Sequence, residues 1–130
     1  FSVDQRVINN SGLSFDLYPY GLSKRQGIPE MQNFFILHEG PLSITDGVLE
    51  EYDYDDLKDD KKIKHSSVGG WIGMTDKYWQ TAIIPNQNEP VQQTYSYNFV
   101  DNIDNFQTDI VGERIAVSNN FKFFSENKSL

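Results

Sequence analysis

Gly69-Gly70-Trp71-Ile72-Gly73-Met74-Thr75-Asp76-Lys77-Tyr78-Trp79-Gln80-Thr81-Ala82-Ile83-Ile84-Pro85 is the stretch whose reading decides the fold class. Two apolar runs flank a polar Thr75-Asp76-Lys77, which predicts strand, tight turn and strand. A helix is the rival, because Trp71, Met74, Tyr78 and Ala82 share helical spacing. The nearby glycines, the β-branched residues and the closing proline oppose it. Trp71, Tyr78 and Trp79 could make an aromatic platform for sugars or peptides, but aromatics in an apolar run more often fill a core. Trp71 follows two glycines that permit close backbone approach and is expected mostly buried between sheets, its removal costing roughly 3–5 kcal/mol.

The same strand grammar extends toward both ends. Phe1-Ser2-Val3-Asp4-Gln5-Arg6-Val7-Ile8 alternates apolar with polar, Asn9-Asn10-Ser11-Gly12 is turn-like, and Leu13-Ser14-Phe15-Asp16-Leu17 resumes the alternation, so a β-hairpin is expected. Pro19, Gly21, Gly27 and Pro29 punctuate a loop before a short buried strand at Phe34-Phe35-Ile36-Leu37. Residues 50–64 hold seven acids and four lysines around Tyr52, Tyr54, Leu57 and Ile63, the composition of an exposed, solvated strand or loop. Further strands are expected at Tyr95-Ser96-Tyr97-Asn98-Phe99-Val100, Arg114-Ile115-Ala116-Val117-Ser118 and Phe121-Lys122-Phe123-Phe124, with an Asn/Asp-rich separator at residues 101–105. Short strands at regular spacing without a long helix predict an all-β, antiparallel β-sandwich.

Length and composition bound the function. One domain over residues 1–130 suits 130 residues with 38% hydrophobic and 14% aromatic content. A net charge of -8 repels phosphate backbones, so no nucleic acid partner is expected. There is no cysteine, which removes disulfides, thiolate metal sites and thiol nucleophiles. No apolar stretch approaches the ~20 residues that span a bilayer. The start, at Phe1, lacks a basic and apolar leader and reads as that of a cut-out fragment.

Chemistry finds little foothold. His38, Glu39 and His65 could hold a metal only if folding brought them together, and loop histidines are usually surface residues. Asp53, Asp55, Asp56, Asp59 and Asp60 suggest calcium superficially, but Leu57 stands at a ligand position and Lys58 replaces the obligatory glycine; the segment is expected exposed and free of tightly bound metal. Neither a nucleophile elbow nor a phosphate-binding glycine loop occurs. Asn9-Asn10-Ser11 and Asn127-Lys128-Ser129 match the glycosylation pattern, which is too short to inform. The residues therefore nominate no catalytic, cofactor-binding or metal site.

The residue 69–85 segment resembles G-G-W-[IV]-[GA]-M-x-[DQ]-x-Y-[FW]-x-x-A-x-[IL]-P, a segment in the large first periplasmic domain of YidC-type membrane protein insertases. His38-Glu39-Gly40-Pro41 is similar to that family's turn before a diverged acidic stretch, and Asn120-Phe121-Lys122-Phe123-Phe124 to a late strand. Gln80 and Thr81 fall where the family varies, and the acidic run from Glu50 to Asp60 has no clear counterpart. The resemblance implies part of a β-supersandwich similar to galactose mutarotase, specifically its later portion, with the transmembrane insertase core not included. It further implies a non-catalytic domain on the periplasmic side of the bacterial inner membrane, anchored through segments absent here. Its partners would be Sec translocon components (SecD–SecF) and nascent membrane proteins, and no cofactor is implied. The family's hydrophilic, intramembrane groove has no residue in this chain, so no catalytic residue carries over. A sugar-binding or mutarotase-like activity is the alternative, and it requires His38 or His65 to face a carboxylate across a concave sheet.

Overall fold

The computed structural model of the chain describes residues 1–28 and 37–120, together with the backbone course of 122–129. In chain order the elements are β1 (Ser2–Ile8), β2 (Phe15–Leu17), β3 (Tyr20–Gln26), β4 (Gly40–Thr45), β5 (Val48–Glu51), α1 (Tyr54–Asp60), β6 (Lys62–Val68), β7 (Trp71–Asp76), β8 (Trp79–Ile84), β9 (Pro90–Val100), β10 (Ile103–Gly112), β11 (Ile115–Val117) and β12 (Lys122–Ser129). A six-stranded sheet runs β1-β12-β8-β7-β4-β5, a four-stranded sheet β3-β10-β9-β6, and β11 pairs with β2. Every pairing is antiparallel. The two larger sheets pack through β7 on β10, β8 on β3 and β4 on β6. This is the all-β, antiparallel sandwich that the sequence predicts.

The segment that opened the reading forms β7 and β8, with Asp76 opposite Trp79. Gly69 and Gly70 both have positive φ, 66° and 75°, and a Cβ at Gly70 would run into the Ile44 carbonyl oxygen, so glycine is required where the chain enters β7. The core lies between the sheets: Ile72 and Met74 from β7 meet Val91, Tyr95, Phe106 and Ile110 from β9 and β10. Tyr54 and Leu57 of α1 join the same cluster.

Strand parity corrects one expectation. Ile72 and Met74 point into the core, so Trp71 points to the opposite face of its sheet. There it is half-buried, in a cross-strand row with Ile44 and Leu49. Tyr78 sits in the β7–β8 turn at 85% exposure, and Trp79 is 43% exposed. The β7–β8 hairpin buries Ile72, Met74 and Ala82, and its own aromatics occupy margins, where one side of the ring stays wet.

The first hairpin also comes out differently. β1 pairs with β12 and β2 with β11, not with each other. The cause is Asn9: its Nδ2 donates to the carbonyls of Leu13 at 2.7 Å and Val117 at 3.0 Å, and its Oδ1 accepts from the Ser11 amide at 3.0 Å. Those bonds turn the chain sideways into a second sheet instead of back along β1.

The acidic stretch contains a helix where a strand or loop is expected. Asp53 caps α1, and the Asp53 amide donates to Asp56 Oδ2 at 3.2 Å. Tyr54 and Leu57, three apart, turn inward, while Asp53, Asp55, Asp56, Asp59 and Asp60 stay exposed as expected. Residues 101–105 separate less than expected. Only Asp101 and Asn102 form the turn, with φ of 54° and 59°, and β10 begins at Ile103. The strand expected at 34–37 falls largely outside the described residues, and Leu37 itself is exposed. The last expected strand, at residues 121–124, corresponds from Lys122 onward to β12, and Phe121 lies outside the described residues.

Ile72→Ala and Leu57→Ala each remove a fully buried side chain and are expected to cost roughly 2–5 kcal/mol in denaturant unfolding. Trp71→Ala, on the outer face, is expected to cost only about 1–2 kcal/mol. The order Trp71 above Ile72 would contradict this placement.

Candidate binding surface

Side chains with chemistry are distributed among separate local networks. His65, on β6, accepts or donates at 2.9 Å between Nε2 and the Tyr52 hydroxyl; it stacks on the Tyr52 ring and meets Tyr95 edge-on. His38 places Nε2 3.1 Å from the Pro41 carbonyl and Nδ1 3.8 Å from Asp53 Oδ1. That carboxylate is 77% exposed. The two histidines thus have different partners, and neither faces a buried carboxylate among the described residues. Likewise no group of three His, Asp or Glu side chains that could hold a metal occurs among them.

The most buried ionic contact joins the layers. Arg25 of β3 pairs with Asp76 of β7, and Tyr54 of α1 donates its hydroxyl to the other Asp76 oxygen at 2.9 Å. Arg25 also donates from Nε to the Gly27 carbonyl at 3.2 Å and lies 5.1 Å from the Trp79 ring centroid. Above β10, Tyr97 donates to Asp104 at 2.8 Å, and Lys58 of α1 reaches the second Asp104 oxygen at 3.4 Å. These contacts make a supporting frame. Each of these charged groups is engaged by another side chain or a carbonyl.

Beneath them lies a polar layer inside the sandwich. Gln93 is fully buried, donates to the carbonyls of Ile44 and Trp71, and accepts from Thr45 at 2.6 Å. The Tyr95 hydroxyl is buried without a well-formed hydrogen bond; Ser43 lies beside it but does not complete one. Burial raises the pKa of Tyr95 and, together with the Asp76 contact, that of Tyr54.

The outer face of the four-stranded sheet carries exposed side chains along its two edge strands, β3 and β6. Alternation sends Phe106, Thr108 and Ile110 inward, so Asn105, Gln107, Asp109 and Val111 face outward. At one end this face runs into a groove of about 460 Å³, bordered by Tyr18, Ser66, Val68 and Gln92 with Asp46 and Glu113. A second apolar groove of about 360 Å³ lies between β1 and the β2–β11 pair, lined by Val7, Leu17, Tyr18 and Ile115. The sequence reading assigns some of these residues to strands but nominates none of them as a site. Trp71, Tyr78 and Trp79 form no common platform, because Trp71 and Trp79 belong to opposite faces.

The fold and its surfaces define an antiparallel β-sandwich domain with open grooves and sheet edges. The chain belongs to the YidC periplasmic domain family, whose model matches residues 1–122. It is 36% identical over 118 residues to the membrane protein insertase YidC of Bradyrhizobium diazoefficiens, covering 91% of this chain and 19% of that protein. Over 112 residues it is 37% identical to the protein of that name from Rickettsia bellii, covering 85% and 20%, and over 107 residues 43% identical to that of Jannaschia sp., covering 75% and 17%. The chain spans about a fifth of the length of these curated relatives. No helix among the described residues is long and apolar enough to cross a membrane.

An alkaline limit to stability follows from Tyr54 and Tyr95. Both keep their protons in the folded state above the ordinary tyrosine value of 10.0, whereas the unfolded chain loses them there. The unfolded state then binds fewer protons, so stability is complete below pH 10 and falls as pH rises beyond it. Denaturant midpoints are expected to drop above that pH, less steeply in Tyr54→Phe; equal slopes in wild type and variant would contradict the assignment.

Proposed function

We propose that the chain is a non-catalytic part of the large periplasmic domain of a YidC-type insertase, on the periplasmic side of the inner membrane. It represents the later portion of that domain, and the anchor belongs to the remainder of a longer protein. Its role is to assist insertion and folding by contacting SecD–SecF components of the Sec translocon and nascent membrane proteins. The observation that carries this reading is the family match over residues 1–122. Relatives bearing the insertase name add support.

Physical chemistry agrees with a binding role. β5 and β6 are sheet edges, and an edge strand offers unpaired amides and carbonyls that can take up an extended segment through backbone hydrogen bonds. Such binding depends little on any single side chain. A mutarotase-type reaction would instead need a histidine and a carboxylate converging on one anomeric oxygen. His65 pairs with a tyrosine and His38 with an exposed aspartate.

The test combines two assays on the chain and on its His38→Ala and His65→Ala variants. Pull-down of the SecD–SecF periplasmic regions is expected to persist in all three, and aldose anomerisation to stay at the uncatalysed rate. Anomerase activity that disappears in either variant would overturn the non-catalytic reading, and loss of capture by the unmodified chain would overturn the partner.

A further inference from the structure

We propose that the outer face of the four-stranded sheet docks an acidic, extended segment of a partner polypeptide through Lys24, Lys62 and Lys64. The proposal rests on the binding role above and specifies the chemistry of what is bound. Register places the lysines together. Lys24 pairs with Gln107, Gln107 with Ser96, and Ser96 with Lys62, so one row across all four strands reads Lys24, Gln107, Ser96, Lys62. The adjacent row on the same face reads Leu22, Asp109, Thr94, Lys64. All three lysines are exposed.

Their electrostatic setting distinguishes them. In a chain of net charge -8, Arg25, Lys58 and Arg114 are each ion-paired, to Asp76, Asp104 and Asp16. Lys24, Lys62 and Lys64 have no ion pair among the described residues. The one acid in the two rows, Asp109, is buried and accepts from Gln107 at 2.9 Å. The exposed part of the two rows is therefore cationic, with neutral amide and hydroxyl groups between the charges.

Geometry favours a narrow ligand. Three strand spacings separate Lys24 from Lys62, ~14 Å, which matches the distance between side chains four apart on an extended chain. A segment with acids at those positions, lying across the strands, would meet both ends of the row and offer backbone groups to Gln107 and Ser96. A flat anionic bilayer fits less well. It would also meet the exposed acids that flank the face, Asp59 and Asp60 before β6 and Asp46 and Glu113 at the groove, and be repelled by them.

The experiment titrates the chain against a labelled peptide of about twelve residues alternating Glu with Ser, and against its Gln-Ser counterpart, at about 20 mM and about 200 mM salt. Expected is submillimolar binding of the glutamate peptide, weaker by about tenfold or more at the higher salt, with the glutamine peptide, and in Lys24→Glu/Lys62→Glu/Lys64→Glu. A triple Lys→Gln variant, with folding checked by circular dichroism, guards against a charge-reversed protein that fails to fold. A triple Lys→Arg variant should retain binding. The proposal is overturned if both peptides bind alike, if neither binds below about 1 mM, if the Lys→Gln variant binds as well as the wild type, or if phosphatidylglycerol vesicles bind and the glutamate peptide does not. Capture of SecD–SecF regions without peptide binding would leave the binding role standing and remove this inference. Peptide binding without that capture would do the reverse.

Discussion

A buried carboxylate in need of a partner organises this domain. Asp76 ends β7 with little exposure, and an ionised carboxylate taken out of water is costly unless it is paired and hydrogen-bonded. Arg25 and Tyr54 meet that need from two other elements, β3 and α1. One side chain therefore links the six-stranded sheet, the four-stranded sheet and the helix. Once Tyr54 is held there, its ring lies 4.7 Å from Phe106, and Leu57 follows it into the core. Removing one partner would strand the others, so this junction specifies how the layers sit more than it adds net stability.

The functional consequence is a division between faces. Gln93, the Asp104 contacts of Tyr97 and Lys58, and the Asp76 junction satisfy polar groups between the layers. On the outer face of the four-stranded sheet, Gln107 holds the buried Asp109 and the Tyr20 hydroxyl. Its lysines, Lys24, Lys62 and Lys64, are fixed by strand pairing without an ion pair among the described residues, which suits the docking proposed for this face. The chain belongs to the YidC periplasmic domain family, and the binding role proposed for it would draw on that outer face.

What could be read from the sequence divides along physical lines. The β7–β8 hairpin was legible because glycines, alternation and a polar turn all agree within residues 69–85. Which face Trp71 takes was not, because a one-residue change of parity reverses every side chain and apolar residues occupy both faces of β7. β10 was hidden because its inward Phe106 and Ile110 are interleaved with Asn105, Gln107 and Asp109, a polar alternation easily read as loop. α1 is seven residues long, too short for a periodic signal, though Asp53 and Asp56 spaced as a capping pair before Leu57 were a usable clue. The lysine rows could not be seen at all, since Lys24 and Lys62 become neighbours on one face only through the pairing of four strands.

The central structural claim is that the two sheets and α1 form one cooperative unit closed by the Asp76 junction and the core beneath it. Native-state hydrogen exchange of the chain, read at the amides of β7, β9, β10 and α1, tests it most directly. One common opening free energy, equal to that of global unfolding, is the predicted result for β7, β9 and β10, with α1 joining them at Leu57. Amides of the four-stranded sheet opening well before those of β7 would contradict it.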